Sequence, residues 1–348
     1  MHIEENIKLD FNDVLIKPKR SNISSRNDVI LEVDLTFKHN KNYKWTGVPI
    51  MVSNMDTTGT FSMALELAKF KMFTCIHKYY KLKEWIDFHK EQSHTVDNIY
   101  NYMCITSGIG KNDLQNLESI LNRIPLKFIS LDVANGYTNN FVDIIKQIRN
   151  KYPDKVIIAG TVATGEMTEE LILSGADIVR VGIGGGSVCT TRKKAGVGVP
   201  QLSAIIECAD AAHGIGGHII SDGGCTCPAD FSKAFGAGSD FVMSGGMFSG
   251  HEESGGDLIL KDGEQYKEFY GMSSNKAMDT HSGGVSSYRT SEGKCVLIKY
   301  KGQVKDTIKD ILGGLRSTCT YVGALKLKEL SRRTTFIRVT RQLNEIYS

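Results

Sequence analysis

The sequence predicts an α/β protein folded as a single (β/α)8 TIM barrel. Three observations carry this expectation. Eight short apolar runs recur at the spacing of a strand plus a helix, and most lack polar alternation, as parallel strands covered on both faces do. Helical periodicity fills the gaps between them. The residues with chemical character crowd just behind the runs, where a barrel carries its active site. An open doubly wound sheet is the alternative that the same alternation leaves standing.

Residues 1–47 precede the runs as an N-terminal extension. The runs are Val48–Ser53, Met72–Ile76, Tyr102–Thr106, Phe128–Val133, Val156–Ala159, Ile178–Val181, Ile219–Ser221 and Asp240–Met243. Thr60–Phe70 sets Phe61, Ala64, Leu65 and Ala68 on one helical face. Leu114–Arg123 does the same with Leu114, Leu117, Ile120 and Leu121. Asn140–Asn150, Thr168–Ser174, Gln201–His213 and Pro228–Phe235 follow the fourth to seventh runs. Residues 245–303, rich in Gly and Ser, are expected to form a mobile flap after the eighth strand. A closing helix is expected over Asp306–Leu330, with Thr307, Ile308, Ile311, Leu312 and Leu315 on its apolar stripe. Every gap between runs is too short for an inserted domain, so one domain is expected over residues 1–348.

Composition narrows the function. Glycine supplies 35 of 348 residues, above the ~7% of average usage. The 41% hydrophobic and 23% charged fractions are globular values, which excludes a disordered or low-complexity chain. The glycines therefore belong at special backbone positions. A net charge of +3 gives no reason to expect a nucleic-acid polymer or an anionic membrane as partner. The eight cysteines contain no CxxC, and Cys225-Thr226-Cys227 lacks zinc-spaced partners. The chain shows no apolar run of about 18 residues, and its start lacks secretory character. A cytoplasmic protein with free thiols is the expectation.

The chemistry is sought behind the runs. Asp222-Gly223-Gly224 follows the seventh and Ser244-Gly245-Gly246 the eighth, where barrels bind phosphate. Without Cβ atoms, backbone amides approach phosphate oxygens closely. Asp222 would repel phosphate and suits a ribose diol. Together they read as a nucleoside monophosphate site; the alternative is that the glycines merely turn the chain. Behind the sixth run stands Cys189, preceded by Gly182, Gly184, Gly185 and Gly186 and followed by Thr190, Thr191 and Arg192. Hydroxyls and a positive charge there favour a nucleophilic thiolate over a buried structural thiol. Glu292, in the flap, is either an acid/base group or a solvated carboxylate.

The loop Gly184–Arg192, the run Gly198–Ala204 and Ser221-Asp222-Gly223-Gly224 resemble the IMP dehydrogenase/GMP reductase family. The likeness extends from Leu9–Leu15 to the C-terminal helix. The flap resembles the reductase branch at Gly250–Gly256, Gly271-Met272-Ser273-Ser274 and Tyr288–Lys294, and it lacks the Arg-Tyr pair by which dehydrogenases activate water. The resemblance implies a (β/α)8 barrel that converts GMP to IMP with NADPH, through a thioimidate on Cys189. It implies a homotetramer in purine nucleotide metabolism and a monovalent cation, potassium. Thr191 and Glu292 become the proton relay. Ser187, Asp222, Gly223, Gly224, Gly245, Gly246, Gly271, Met272, Ser273, Arg289, Thr290, Ser291 and Gly293 would hold the nucleotide. Lys78, Asp132, Val133, Ala134 and Tyr288 would meet the cofactor. So would Ser25, Arg26, Ser317, Thr318, Cys319 and Thr320, across a subunit boundary. Gly184, Gly186 and Cys189 would offer carbonyls to potassium, with Arg192 closing the loop. One departure is visible: the family often has Pro where this chain has Gly185, which loosens the loop.

Overall fold

The computed structural model of the chain describes residues 2–92, 99–282 and 291–340. Eight strands close into a parallel barrel: β1 (Ile50–Val52), β2 (Phe73–Ile76), β3 (Met103–Ser107), β4 (Phe128–Asp132), β5 (Val156–Val162), β6 (Ile178–Val181), β7 (His218–Asp222) and β8 (Phe241–Ser244). They neighbour one another in chain order, and β8 returns to β1 with Val242 opposite Ile50. Closure excludes the open sheet. Each expected run overlaps one strand, with ends that differ by at most three residues. Every residue of β1, β2, β3, β6 and β8 is buried, with the barrel interior on one side and helices on the other. That double burial is why the runs show no polar alternation.

The strands are followed in order by helices Phe61–Ala68, Leu82–Gln92, Lys111–Leu121, Asn139–Lys151, Gly165–Leu173, Gln201–Gly214, Pro228–Gly236 and Val304–Val322. Thr60 and Thr138 cap two of them, their hydroxyl oxygens accepting the amides of Met63 and Phe141. Leu82–Gln92 escapes the periodicity because it buries only Trp85 and Phe88. The closing helix ends sooner than expected. Gly323, at φ +74°, takes the left-handed cap position after Val322, and Leu327–Arg333 continues as separate short turns.

The N-terminal extension plugs one end of the barrel. The hairpin of strands Val33–Thr36 and Lys44–Gly47 carries fully buried Trp45, and buried Phe37 follows its first strand. The Trp45 ring lies 5.1 Å from Phe241 and 6.5 Å from Phe73, and Phe37 lies 5.8 Å from Phe128. Those three phenylalanines begin β8, β2 and β4, so the plug sits at the N-terminal ends of the strands. Chemistry is left to the opposite rim.

The flap is more ordered than its composition suggests. Leu258–Lys261, Glu264–Tyr270 and Cys295–Lys299 form an antiparallel sheet, with helix Asn275–Ser282 inserted. Residues beyond β1 anchor it: Asp56 Oδ2 accepts the Tyr270 hydroxyl at 2.7 Å and lies 2.6 Å from His281 Nε2. Among the described residues no helix is long and apolar enough to cross a membrane.

Candidate active site

Arg180 organises the barrel interior below the rim. It stands in β6 and is only 5% exposed. Its Nη1 donates to Asp132 Oδ1 at 2.5 Å, and Nε and Nη2 donate to Asp222 Oδ2 at 3.2 and 2.7 Å. Asn54, beyond β1, completes the set by donating to Asp132 Oδ2 at 3.0 Å. Burial opposes the guanidinium charge, but the two carboxylates outweigh it and raise its pKa. One cation thus fixes the carboxylates that end β4 and β7. Arg180 carries no sequence signal of its own, because it lies inside an apolar strand and not among the residues that follow one.

Cys189 lies in the loop after β6 and is partly exposed. Its Sγ donates to Thr191 Oγ1 at 3.2 Å, and Thr191 Oγ1 donates to Glu292 Oε2 at 2.6 Å. The three residues brought together from the sequence therefore form one unbroken chain. Backbone bonds hold it. The Thr190 amide donates to the Glu292 carbonyl at 2.7 Å, and the Lys294 amide to the Val188 carbonyl at 2.9 Å. Ser273 O accepts the Glu292 amide at 3.1 Å and the Ser291 hydroxyl at 3.3 Å. The cysteine loop and the flap segments Gly271–Ser274 and Ser291–Lys294 are laced into one rim structure.

The buried cysteines contrast with Cys189. Burial pushes the thiols of Cys208 and Cys319 up to about 12 and holds that of Cys225 well above the usual range. A hydrogen bond with Cys104, then burial, does the same to Cys75. Such thiols stay neutral and unreactive. All eight cysteines are free.

The glycine turns meet beside Cys189. Gly223 and Gly224 have φ of +96° and +84°. A Cβ on Gly223 would lie 3.2 Å from the Gly186 amide nitrogen, and one on Gly246 would lie 2.8 Å from Ser187 Oγ. Gly223 thus packs against Gly186 and Gly246 against Ser187, both in the cysteine loop, while Gly224 faces Phe11 and Gln201 and Gly245 faces Ser53 and Met55. Lys78, partly exposed behind β2, holds its Nζ 5.7 Å from the Tyr79 ring centroid. Val133 and Ala134 follow Asp132 at the same rim, and Met272 is partly exposed in the flap.

The remaining expected residues divide. Ser25 caps a short turn holding exposed Arg26, and Arg316 donates to the Arg26 carbonyl at 3.4 Å. This brings Ser25 and Arg26 to the helix bearing Ser317–Thr320. Thr318 donates to Ser232 at 2.9 Å and Thr320 to the Ser317 carbonyl at 2.7 Å. The Cys319 side chain faces the core and is fully buried, because it lies on the apolar stripe of that helix. Tyr288, Arg289 and Thr290 lie outside the described residues.

The donor chemistry of the Gly184–Arg192 loop fits a monovalent cation. Its offered groups are uncharged carbonyl oxygens, and Gly184 turns at φ +81°. Arg192 braces the loop by donating to Asp10 Oδ2 at 3.1 Å and to the Val199 carbonyl at 2.9 Å. Two substitutions separate required from permissive glycines. Gly182, at φ +154°, would set a Cβ 2.0 Å from the Asp222 carbonyl. Gly182→Ala should therefore cost stability on the order of 1–3 kcal/mol or more. Gly185 lacks a positive φ, and its Cβ would meet only Gln201 Oε1 at 3.3 Å and two atoms beyond 3.5 Å. Gly185→Ala should stay within about 1 kcal/mol. Denaturant melts of both variants check the contrast, and equal losses would refute it.

Comparison with known proteins follows the same lines. The family model described as IMP dehydrogenase / GMP reductase domain matches residues 8–345. GMP reductase 2 of Homo sapiens is 60% identical over 348 residues, covering 100% of this chain and 99% of that protein. GMP reductase 1 of Homo sapiens is 59% identical over 347 residues, with 99% of each covered. GMP reductase of Caenorhabditis elegans is 58% identical over 346 residues, covering 99% of this chain and 96% of the relative. With a match over nearly its whole length, the chain belongs to the IMP dehydrogenase/GMP reductase family of oxidoreductases.

Proposed function

We infer that the protein reduces GMP to IMP with NADPH and releases ammonia. The Cys189–Thr191–Glu292 chain is the observation that carries this reading, and the full-length relatives named GMP reductase support it.

Guanine is electron-rich, so direct displacement of its 2-amino group by hydride is difficult. A thiol nucleophile divides the reaction into two easier steps. Cys189 passes its proton to the Thr191–Glu292 pair and adds through Sγ to purine C2. The amino group leaves as ammonia, taking a proton from the same pair, and a thioimidate remains on Cys189. When bound, NADPH would supply the hydride that C2 takes up. The C2–Sγ bond then breaks, the thiolate departs and IMP is formed. The sum is GMP, NADPH and two protons giving IMP, NADP+ and ammonium.

Binding follows from the rim. The amides at Gly223, Gly224, Gly245 and Gly246, with Ser187, would hold the phosphate. Both Arg180 bonds fall on Asp222 Oδ2, so Oδ1 would accept a ribose hydroxyl. Gly271, Met272, Ser273, Ser291 and Gly293, with Arg289 and Thr290, would enclose the base. Lys78, Asp132, Val133, Ala134 and Tyr288 would receive the nicotinamide end of NADPH. Ser25, Arg26, Ser317, Thr318 and Thr320 would take its far end in a homotetramer, where Arg26 suits a 2′-phosphate. The carbonyls of Gly184, Gly186 and Cys189 would hold potassium. The reading places the enzyme in cytoplasmic purine salvage.

Glu292→Gln removes the acceptor at the end of the relay. It should lower kcat by roughly 10²–10⁴-fold and slow ammonia release more than the hydride step. Quenched-flow measurement of both products checks this, and equal slowing would remove Glu292 from the relay. The function itself is tested by mixing protein, GMP and NADPH. NADPH loss, IMP and ammonia should appear in equal amounts. XMP formed from IMP and NAD+, with no reaction of GMP, would overturn the reading in favour of a dehydrogenase.

A further inference from the structure

At the end of the barrel opposite the rim, three side chains of metal-binding type converge. His213 lies in the last turn of helix Gln201–Gly214, His218 begins β7, and Asp240 immediately precedes β8. One nitrogen or oxygen from each lies within 4.8 Å of the other two. His213 Nε2 is 2.9 Å from Asp240 Oδ2, and His218 Nδ1 is 3.0 Å from Asp240 Oδ1. About a tetrahedral ion with bonds of ~2.0–2.1 Å, ligand atoms stand roughly 3.3 Å apart. The two separations to Asp240 are already within a few tenths of an ångström of that spacing.

His218 supplies a second, independent sign. Its Nε2 lies 2.8 Å from the Thr36 carbonyl oxygen. A carbonyl only accepts, so Nε2 carries a proton and Nδ1 is the nitrogen that faces Asp240. That Nδ1 is buried and lies 3.0 Å from Asp240 Oδ1. A ring whose far N–H is fixed on a backbone carbonyl, with its other nitrogen turned to a carboxylate, is oriented as a metal-binding histidine is, and an ion would displace the proton between them. Asp240 is fixed as well, since its Oδ2 accepts the Ile219 amide at 2.9 Å. His213 is 45% exposed along its side chain, which gives an ion a path from solvent.

We propose that His213, His218 and Asp240 bind one divalent first-row transition ion of the zinc class, through two imidazole nitrogens and one carboxylate oxygen. This donor set suits zinc, cobalt or nickel rather than magnesium or calcium. The ion is a clip, remote from the chemistry. It joins the end of one helix, the starts of β7 and β8 and, through Thr36, the N-terminal plug. Binding to the folded chain alone raises stability by mass action.

The test uses Co2+, whose spectrum distinguishes imidazole and carboxylate ligands from the exposed thiols of Cys227 and Cys295. Full-length protein cleared of metal with a chelator is titrated with Co2+. One equivalent per chain should give a visible d–d band without a sulfur-to-cobalt charge-transfer band, and Tm should rise by at least about 2 °C. His213→Gln should lose both the band and the Tm rise while keeping the wild-type circular dichroism. This variant is chosen because the Asp240 carboxylate also holds the Ile219 amide, so a change there risks the fold. A thiolate charge-transfer band alone, a d–d band that survives in His213→Gln, or no band and no Tm rise would each overturn the proposal.

Discussion

Cys189→Ala should lower kcat for NADPH oxidation by roughly 10⁴-fold or more while GMP binding persists. Hydrogen bonds of the backbone hold the loop: Cys189 N donates to Gly186 O at 3.0 Å, and Thr190 N to Glu292 O at 2.7 Å. Removing the sulfur therefore removes the nucleophile and leaves the glycine turns and Asp222 in place. None of the deeply buried thiols can substitute for it. Calorimetry with GMP and steady-state assays with NADPH separate binding from turnover. Wild-type turnover in the variant would end the covalent scheme; loss of GMP binding would mean that the thiol serves the pocket rather than the reaction.

Arg180→Met should produce the largest loss of stability, about 3–5 kcal/mol, because it strands Asp132 and Asp222 without their shared cation. It should also raise KM for both GMP and NADPH, since in the proposed function Asp222 serves the ribose and Asp132 the nicotinamide end. Arg180→Lys keeps the charge but loses the fork that spans them. It should recover most of the stability and only part of the binding. Denaturant melts and initial rates measure these effects. A KM change confined to one ligand would show that Arg180 does not link the two half-sites.

The barrel was legible because its strands are buried on both faces. Strands such as Ile178–Val181 and Phe241–Ser244 carry no polar alternation to mistake for a loop. The same burial hid Arg180, which sits among apolar neighbours and gains its meaning from Asp132 and Asp222, 48 and 42 positions away. The Cys189–Thr191–Glu292 chain was legible through family resemblance; spacing alone left Glu292 open, for it lies 101 residues from Thr191. The flap sheet was not legible. Leu258–Lys261 and Cys295–Lys299 bury none of their residues fully, so their pattern resembles a polar loop. The plug at Trp45 escaped for a different reason: its partners Phe73 and Phe241 come from distant strands.

Gly185 also gains a partial account. Its backbone does not require glycine, and the buried Gln201 Oε1, which makes no hydrogen bond, is its nearest neighbour. The turns that require glycine are its neighbours Gly182 and Gly184.

The central claim is that ammonia leaves before hydride arrives, with the purine held on Cys189. Isotope exchange tests it without any net reaction. Protein is incubated with GMP, 15N-labelled ammonium and NADP+, which has no hydride to give. Reversible formation of the thioimidate should carry 15N into the 2-amino group of GMP, and Cys189→Ala should abolish the exchange. GMP that stays unlabelled, under conditions where NADPH supports turnover, would contradict the claim.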